Sequence, residues 1–338
     1  MADKVKNKVI LFFPGRFLLG ADPQLPLSVL ALAGPLMDHG FETVIIDGRV
    51  DKWRSRFVEE LDDNVLFVGF TALTSDMILY GLEASKWVRQ FKPDIRIVWG
   101  GVHASLLPEQ TIETGEVIDI VARGEGEDII VNLASAIRSG SKLEDVFGLT
   151  FRNNEGKIVS NPDPPNRVDL EKLNLPPYHI LDLSKYSMRN FMYMSARGCP
   201  HKCQFCDVMA FHHRRYSAKS VQKTLDELEY IIKTYHPESI EFVDDNFFVR
   251  RERALEICQG IIDRGLKFEW IASCRADYFK HMNDQYWETV RDAGAKAIYI
   301  GAESGSVRTL KEIEKGITIE DVYNAAEQLS RVGIKMSC

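Results

Sequence analysis

Three of the six cysteines fall within eight positions, as Cys199-x3-Cys203-x2-Cys206 in the run ARGCPHKCQFC. Thiolates at such spacing on one loop bind a soft metal. Three are one short of the four that a cubane iron–sulfur cluster or a closed zinc site takes. A metal lacking a protein ligand at one position is open to a reactant, as catalytic sites are. The alternative is structural zinc closed by His201 or a distant cysteine. His201 lies between two of the cysteines, too close along the loop to complete a tetrahedron easily, and no second Cys-x2-Cys pair exists.

Downstream, candidate polar groups stand at strand ends: Asp244-Asp245-Asn246, Arg275, and Glu303 in a Gly-x-Glu-Ser-Gly turn. Carboxylates there would accept hydrogen bonds from an ammonium or from vicinal hydroxyls. Read otherwise, the acids cap helices and Arg275 pairs with Asp277. His212-His213-Arg214-Arg215 reads as a solvated basic face, with Arg215 the member that would reach an anion. Cys258 and Cys274 read as buried apolar thiols.

The elements that position these groups follow from periodicity. In the first half, short apolar runs at 9–13, 43–47, 65–70, 95–99 and 118–121 alternate with helical patterns at 25–39, 77–91 and 128–137. That rhythm predicts an α/β fold with a doubly wound parallel sheet. Ligands in such sheets lie beyond the carboxyl ends of the strands. The turns there are Pro14-Gly15-Arg16, Thr71-Ala72-Leu73 with Thr74, Gly100-Gly101-Val102-His103, and Gly124-Glu125-Gly126. Glycines there allow close approach of a ligand, or only a tight turn. Residues 147–187 hold an Asn153-Asn154-Glu155-Gly156 turn and five prolines, which predicts a hairpin and a linker between domains 1–146 and 188–338. In the last domain a strand at 191–195 runs into the cysteines. Helix–Gly–strand junctions at Gly265, Gly294 and Gly333 then repeat, and Thr318-x-x-Asp321 opens a helix as a capping box. Repeated βα units predict part of a (β/α) barrel, with chemistry at the carboxyl ends of its strands.

Composition bounds the function. At about 150 residues per domain, 338 residues make two domains. The 45% hydrophobic and 27% charged content is that of a globular chain. A net charge of −7 lacks the basic footprint of a nucleic-acid binder. No run of 18 apolar residues spans a membrane. The opening MADKVKNKVILFFPG has no small-residue cleavage site and reads as the start of the fold. Crowded cysteines without an export signal predict a reducing, cytoplasmic location.

With Phe205 just before its last cysteine, the cysteine run resembles the signature of radical S-adenosylmethionine enzymes. The N-terminal turns, taken in order, resemble the cobalamin-binding domain that some members carry. This resemblance spans nearly the whole chain. It implies that Cys199, Cys203 and Cys206 bind a 4Fe–4S cluster whose fourth iron takes S-adenosylmethionine. Phe205, Asp244, Asp245, Asn246, Arg275 and Glu303 would then contact S-adenosylmethionine. The strand-end turns, including Val102, His103 and Glu125, would hold cobalamin. The Asp-x-His-x-x-Gly motif that often supplies a histidine beneath cobalt is absent: the stretch reads Phe13-Pro14-Gly15-Arg16-Phe17-Leu18. No axial ligand is therefore expected from this loop, nor from His39 or His103. Gly333 to Cys338 reads as the opening of a fifth barrel strand, so the resemblance implies a barrel that this chain begins and does not complete. The implied activity is methyl transfer to an unactivated carbon of a small or lipid-like molecule. Oxidative cyclisation or rearrangement is the alternative within the family, and a non-catalytic cofactor-binding module the alternative outside it. A low-potential donor such as ferredoxin or flavodoxin would supply electrons.

Overall fold

The computed structural model describes residues 6–16 and 22–338; Phe17 and Leu18, part of the stretch searched for an axial histidine, lie outside the described residues. The chain divides into two units, Met1–Tyr186 and Ser187–Cys338.

In the first unit, β1 (Lys8–Phe13), β2 (Glu42–Asp47), β3 (Val65–Thr71), β4 (Arg96–Gly100) and β5 (Ile120–Ala122) pair in parallel in the order β2-β1-β3-β4-β5. Every residue of β3 is buried, as expected of a strand covered on both faces. The connections carry α1 (Leu27–Asp38), α2 (Trp53–Glu60), α3 (Met77–Phe91), α4 (Val102–Leu106), α5 (Pro108–Thr114) and α6 (Gly126–Ser139). Phe12, Phe57, Phe70 and Trp99 fill the core, where Trp99 Nε1 donates to Ser85 Oγ at 3.0 Å.

The hairpin assigned by sequence to the connector lies in this sheet. Strands β6 (Leu149–Arg152) and β7 (Ile158–Ser160) add to β5 in antiparallel fashion. Burial of Leu149 and Phe151 draws the hairpin in, and Asn161 Nδ2 ties it to the Leu143 and Val146 carbonyls at 2.7 Å each.

The order 2-1-3-4-5 puts the topological switch between β1 and β3, the position beyond the strand ends at which doubly wound sheets take their ligands. The neighbouring Gly100-Gly101 turn is packed onto β3. Gly101 has φ +88°, its following helix donates His103 N–H to Ala72 O at 3.1 Å, and Ala72 N–H donates to Gly100 O at 2.9 Å.

The second unit is a parallel sheet in the order β14-β13-β12-β11-β8. Its strands are β8 (Phe191–Tyr193), β11 (Ser239–Phe242), β12 (Glu269–Cys274), β13 (Ala295–Ile300) and β14 (Lys335–Ser337). Two-residue strands β9 (Ala196–Arg197) and β10 (Ser217–Ala218) pair antiparallel beside it, with α7 (Asp207–His212) between them. Helices α8 (Val221–Tyr235), α9 (Arg251–Asp263), α10 (Asp284–Asp292), α11 (Val307–Glu312) and α12 (Ile319–Val332) complete the βα repeats. Thr318 and Asp321 cap α12 reciprocally, at 3.1 and 2.8 Å. Among the described residues no helix is long and apolar enough to cross a membrane.

Two glycine substitutions test the switch-point packing. An alanine at either Gly101 or Gly124 (φ +88° and +85°) costs about 1–3 kcal/mol for its positive φ, and Gly101, with ψ −178°, sits in a region essentially confined to glycine. At Gly101 a Cβ would also stand 2.8 Å from Ala72 O, whereas at Gly124 it meets nothing within 4 Å. Urea denaturation should show Gly101→Ala the more damaging by about 1–3 kcal/mol; equal losses would contradict the packing.

Candidate active site

The cysteine loop is aimed by an aspartate. Sequence periodicity predicts one strand through Ser195, but β8 ends at Tyr193. Asp244, fully buried after β11, accepts from Ser195 N–H at 2.6 Å, Ser195 Oγ at 2.6 Å and Ala196 N–H at 2.9 Å. Those bonds turn the chain out of the sheet into β9. Buried Arg253 clamps the same bend, donating to Ser195 O at 3.2 Å, Ser195 Oγ at 3.3 Å, Thr224 Oγ1 at 3.1 Å and Lys219 O at 3.0 Å. Burial pushes the Asp244 carboxyl up from its usual range, against these hydrogen bonds and the Arg253 charge. The expectation that Asp244 binds a cofactor therefore meets a carboxylate whose two oxygens are both engaged by protein donors. Helix capping, the other reading, is not its role either.

Asp245 differs. Its Oδ2 accepts from Gly198 N–H at 2.6 Å and lies 3.8 Å from His212 Nε2, and its side chain is about a quarter exposed. Gly198 has φ +82°, and a Cβ there would run into the Arg215 carbonyl oxygen, so the loop closes only on glycine. Asn246 is buried; Nδ2 donates to Tyr278 Oη at 3.2 Å, while Oδ1 has no partner among the described residues. The same side chain favours the Cys199 thiolate, against the effect of burial.

Cys203 is buried and the other two cysteines half-buried. Burial pushes the Cys199 and Cys206 thiols up. Opposing this, backbone N–H groups of His201 at Cys199, and of Val208 and Met209 at Cys206, favour the thiolates. His201 Nε2, a candidate zinc ligand by sequence, is instead 2.7 Å from Tyr278 Oη. Among the described residues no three His, Cys, Asp or Glu side chains converge on one ion. A cubane takes one thiolate per iron and asks for ligands set further apart, on separate corners.

Arg275 takes the pairing that sequence left open. Its Nε and Nη2 meet Asp277 at 2.9 and 3.4 Å, Nη2 also donates to Lys315 O at 2.6 Å, and Nη1 reaches Cys203 Sγ at 3.4 Å. Glu303, at φ +60°, accepts from Lys315 Nζ at 2.7 Å. Phe205 is half-exposed, with Lys315 Nζ 5.5 Å from its ring centroid. The loop between α11 and α12 braces the cysteines through Gln204 N–H to Ile313 O (3.1 Å), Gln204 Nε2 to Glu314 (2.8 Å) and Lys202 to Glu314 (3.2 Å). Sequence reasoning missed this loop and Tyr278; the one signal was Gly316 behind a short helix. Arg215 and its two predecessors are exposed. Cys258 and Cys274 are buried, with thiols pushed up to about 12 and well above the usual range, which makes both inert.

In the first unit the expected turns gather at the strand ends. Thr71 is buried at the end of β3, while Leu73 and Thr74 are exposed beside the switch point. An exposed leucine among hydroxyls fits a flat, partly apolar ligand. Thr74 Oγ1 is 2.9 Å from His103 Nδ1. Ser105, missed by sequence, links two turns: its Oγ donates to Gly101 O at 2.7 Å and accepts from Gly124 N–H at 3.0 Å. Gly15 follows β1 and Arg16 is exposed. Val102 and Gly126 start their helices, and Glu125 holds Arg167 and the Val168 N–H at 2.6 and 3.0 Å. His39 caps the carboxyl end of α1, near the amino end of β2.

A sheet of flavodoxin-like order and a parallel βα sheet with a three-cysteine loop at its strand ends define an α/β scaffold with a candidate open metal site. The radical SAM superfamily model matches residues 193–338 and the B12 binding domain model residues 22–134. A relative of Pyrococcus horikoshii, named uncharacterized methyltransferase PH0819, is 30% identical over 91% of this chain and 67% of its own length. The anaerobic magnesium-protoporphyrin IX monomethyl ester cyclase of Rubrivivax gelatinosus is 29% identical over 91% of this chain, which spans 57% of that relative. In fold, the chain superposes on the radical S-adenosylmethionine methyltransferase TsrM of Kitasatospora setae, solved with cobalamin and a 4Fe–4S cluster, with TM-score 0.81. The identity is 20%, covering 98% of this chain and 66% of that one. The chain belongs to the cobalamin-binding radical S-adenosylmethionine enzymes. Its cofactors are a 4Fe–4S cluster, S-adenosylmethionine and cobalamin.

The two aspartates should separate on mutation. Asp244→Ala leaves three buried donors unmade and is expected to cost about 3 kcal/mol or more of stability, with loss of bound iron. Asp245→Ala leaves one partly buried N–H unmade and should cost less, about 1 kcal/mol, with bound iron retained. Equal stability losses would contradict the division of roles.

Proposed function

We propose that the chain carries the cofactor chemistry of a methyltransferase acting on an unactivated carbon of a small or lipid-like substrate. The observation that carries the cofactor assignment is the partnerless Asn246 Oδ1, buried beside Cys199 and next to the partly open Asp245. A buried acceptor left unmade costs about 1–3 kcal/mol, and an ammonium donor relieves it. Cys199, Cys203 and Cys206 hold three irons. Asp245 and Asn246 take the methionyl ammonium, the second oxygen of Glu303 takes ribose hydroxyls, and Phe205 offers its face to adenine. Asp244 positions the loop. When bound, the cofactors supply a 5′-deoxyadenosyl radical, made by one-electron cleavage of S-adenosylmethionine, and a transferable methyl group on cobalamin. Pro14, Gly15, Arg16, Thr71, Leu73, Thr74, Gly100 to His103 and Gly124 to Gly126 line the cobalamin crevice, with Glu125 shaping it through Arg167. A reducing compartment and a ferredoxin or flavodoxin donor suit an oxygen-labile open iron.

The similarity to a cyclase keeps oxidative ring closure as the second reading. Adenosyl by-products separate the two. Methyl transfer yields S-adenosylhomocysteine together with 5′-deoxyadenosine and a product heavier by CH2. Cyclisation yields 5′-deoxyadenosine alone and a product lighter by two hydrogens.

The cluster assignment has its own check. Anaerobically reconstituted protein should hold about four irons per chain, and replacing Cys199, Cys203 and Cys206 together by Ala should remove them; retention of iron in the triple variant would overturn the site.

For cobalt, His39 and His103 should not ligate. Electron paramagnetic resonance of the Co(II) form should show no strongly coupled protein nitrogen and be unchanged in His39→Ala and His103→Ala. A nitrogen splitting that vanishes in His103→Ala would contradict this account of the crevice.

A further inference from the structure

We propose that Arg275 is a redox-tuning residue, whose Nη1–H on Cys203 Sγ raises the reduction potential of the cluster. This rests on Cys203 being a cluster ligand, as in the functional reading above.

The guanidinium is buried, at 6% exposure, and its orientation is over-determined. Nε and Nη2 are held by Asp277 and by the Lys315 carbonyl, which leaves Nη1 directed at sulfur at 3.4 Å. The planar fork cannot swing without releasing Asp277. Asp277 faces partly to solvent, so it screens the guanidinium charge incompletely inside the buried site.

One-electron reduction adds negative charge to a cluster and its sulfurs. A hydrogen-bond donor and a nearby positive charge stabilise that state more than the oxidised one, which raises the potential. The electron comes from an external low-potential reductant. No bond forms or breaks, and Arg275 keeps its protons.

The test is a redox titration of the full chain, anaerobically reconstituted and reduced by dithionite, with the reduced cluster read by electron paramagnetic resonance. Arg275→Met is expected to lower the reduced-to-oxidised ratio at a fixed potential about tenfold, equal to ~59 mV for one electron. Pulsed resonance should also show an exchangeable proton coupled to the parental cluster and missing from the variant. Should Arg275→Met lose its iron, Arg275→Gln, which keeps an N–H and drops the charge, decides by the same titration. An unshifted potential in a variant with parental iron content overturns the inference and leaves the cluster assignment standing. A parent that forms no 4Fe–4S cluster overturns both.

Discussion

The second unit depends on one buried carboxylate. Asp244 stops β8 two residues short of its sequence pattern by capturing the N–H groups of Ser195 and Ala196. A carboxylate with donors on both oxygens is stable in the interior only while those donors stay in place. The bend it fixes sends Gly198 toward Asp245 and the cysteines outward over the strand ends. Arg253 supplies the compensating positive charge and binds the same bend from α9 and α8. Rigid positioning of this kind suits a reaction in which orientation and exclusion of water do most of the protein's share.

The first unit solves a similar problem with backbone. Beside the β1/β3 switch, the turn after β4 approaches the end of β3 so closely that a Cβ at Gly101 would stand 2.8 Å from Ala72 O. Ser105 couples the turns after β4 and β5, so these two turns are held together. The contacts that shape these turns are main-chain ones, in contrast to the charge-rich cysteine loop.

Much of this was legible in the sequence, because long periodic elements announce themselves. Helix α3 runs Met77–Phe91 as its apolar spacing predicts, and the Thr318–Asp321 box opens α12. Helix α2 was invisible because only Phe57 of its eight residues is buried, and α4 and α5 are too short to show a period. The cysteine spacing is a local signal and survives in any fold. The jobs of the acids are not local. Asp244 and Asp245 are adjacent and chemically identical, yet one is filled by backbone donors from 49 residues away and the other stays partly open. Likewise the Asn246–Tyr278–His201 chain and the brace at 313–315 are built from distant residues with no shared motif.

In the proposed site the three cysteines leave one iron for S-adenosylmethionine. Mössbauer spectroscopy of the protein reconstituted with iron-57 tests this directly. Adding S-adenosylmethionine should shift the isomer shift of one iron site of the 4Fe–4S cluster and leave the other three unchanged. A spectrum in which all iron sites stay equivalent after the addition would contradict the open-iron site and the function built on it.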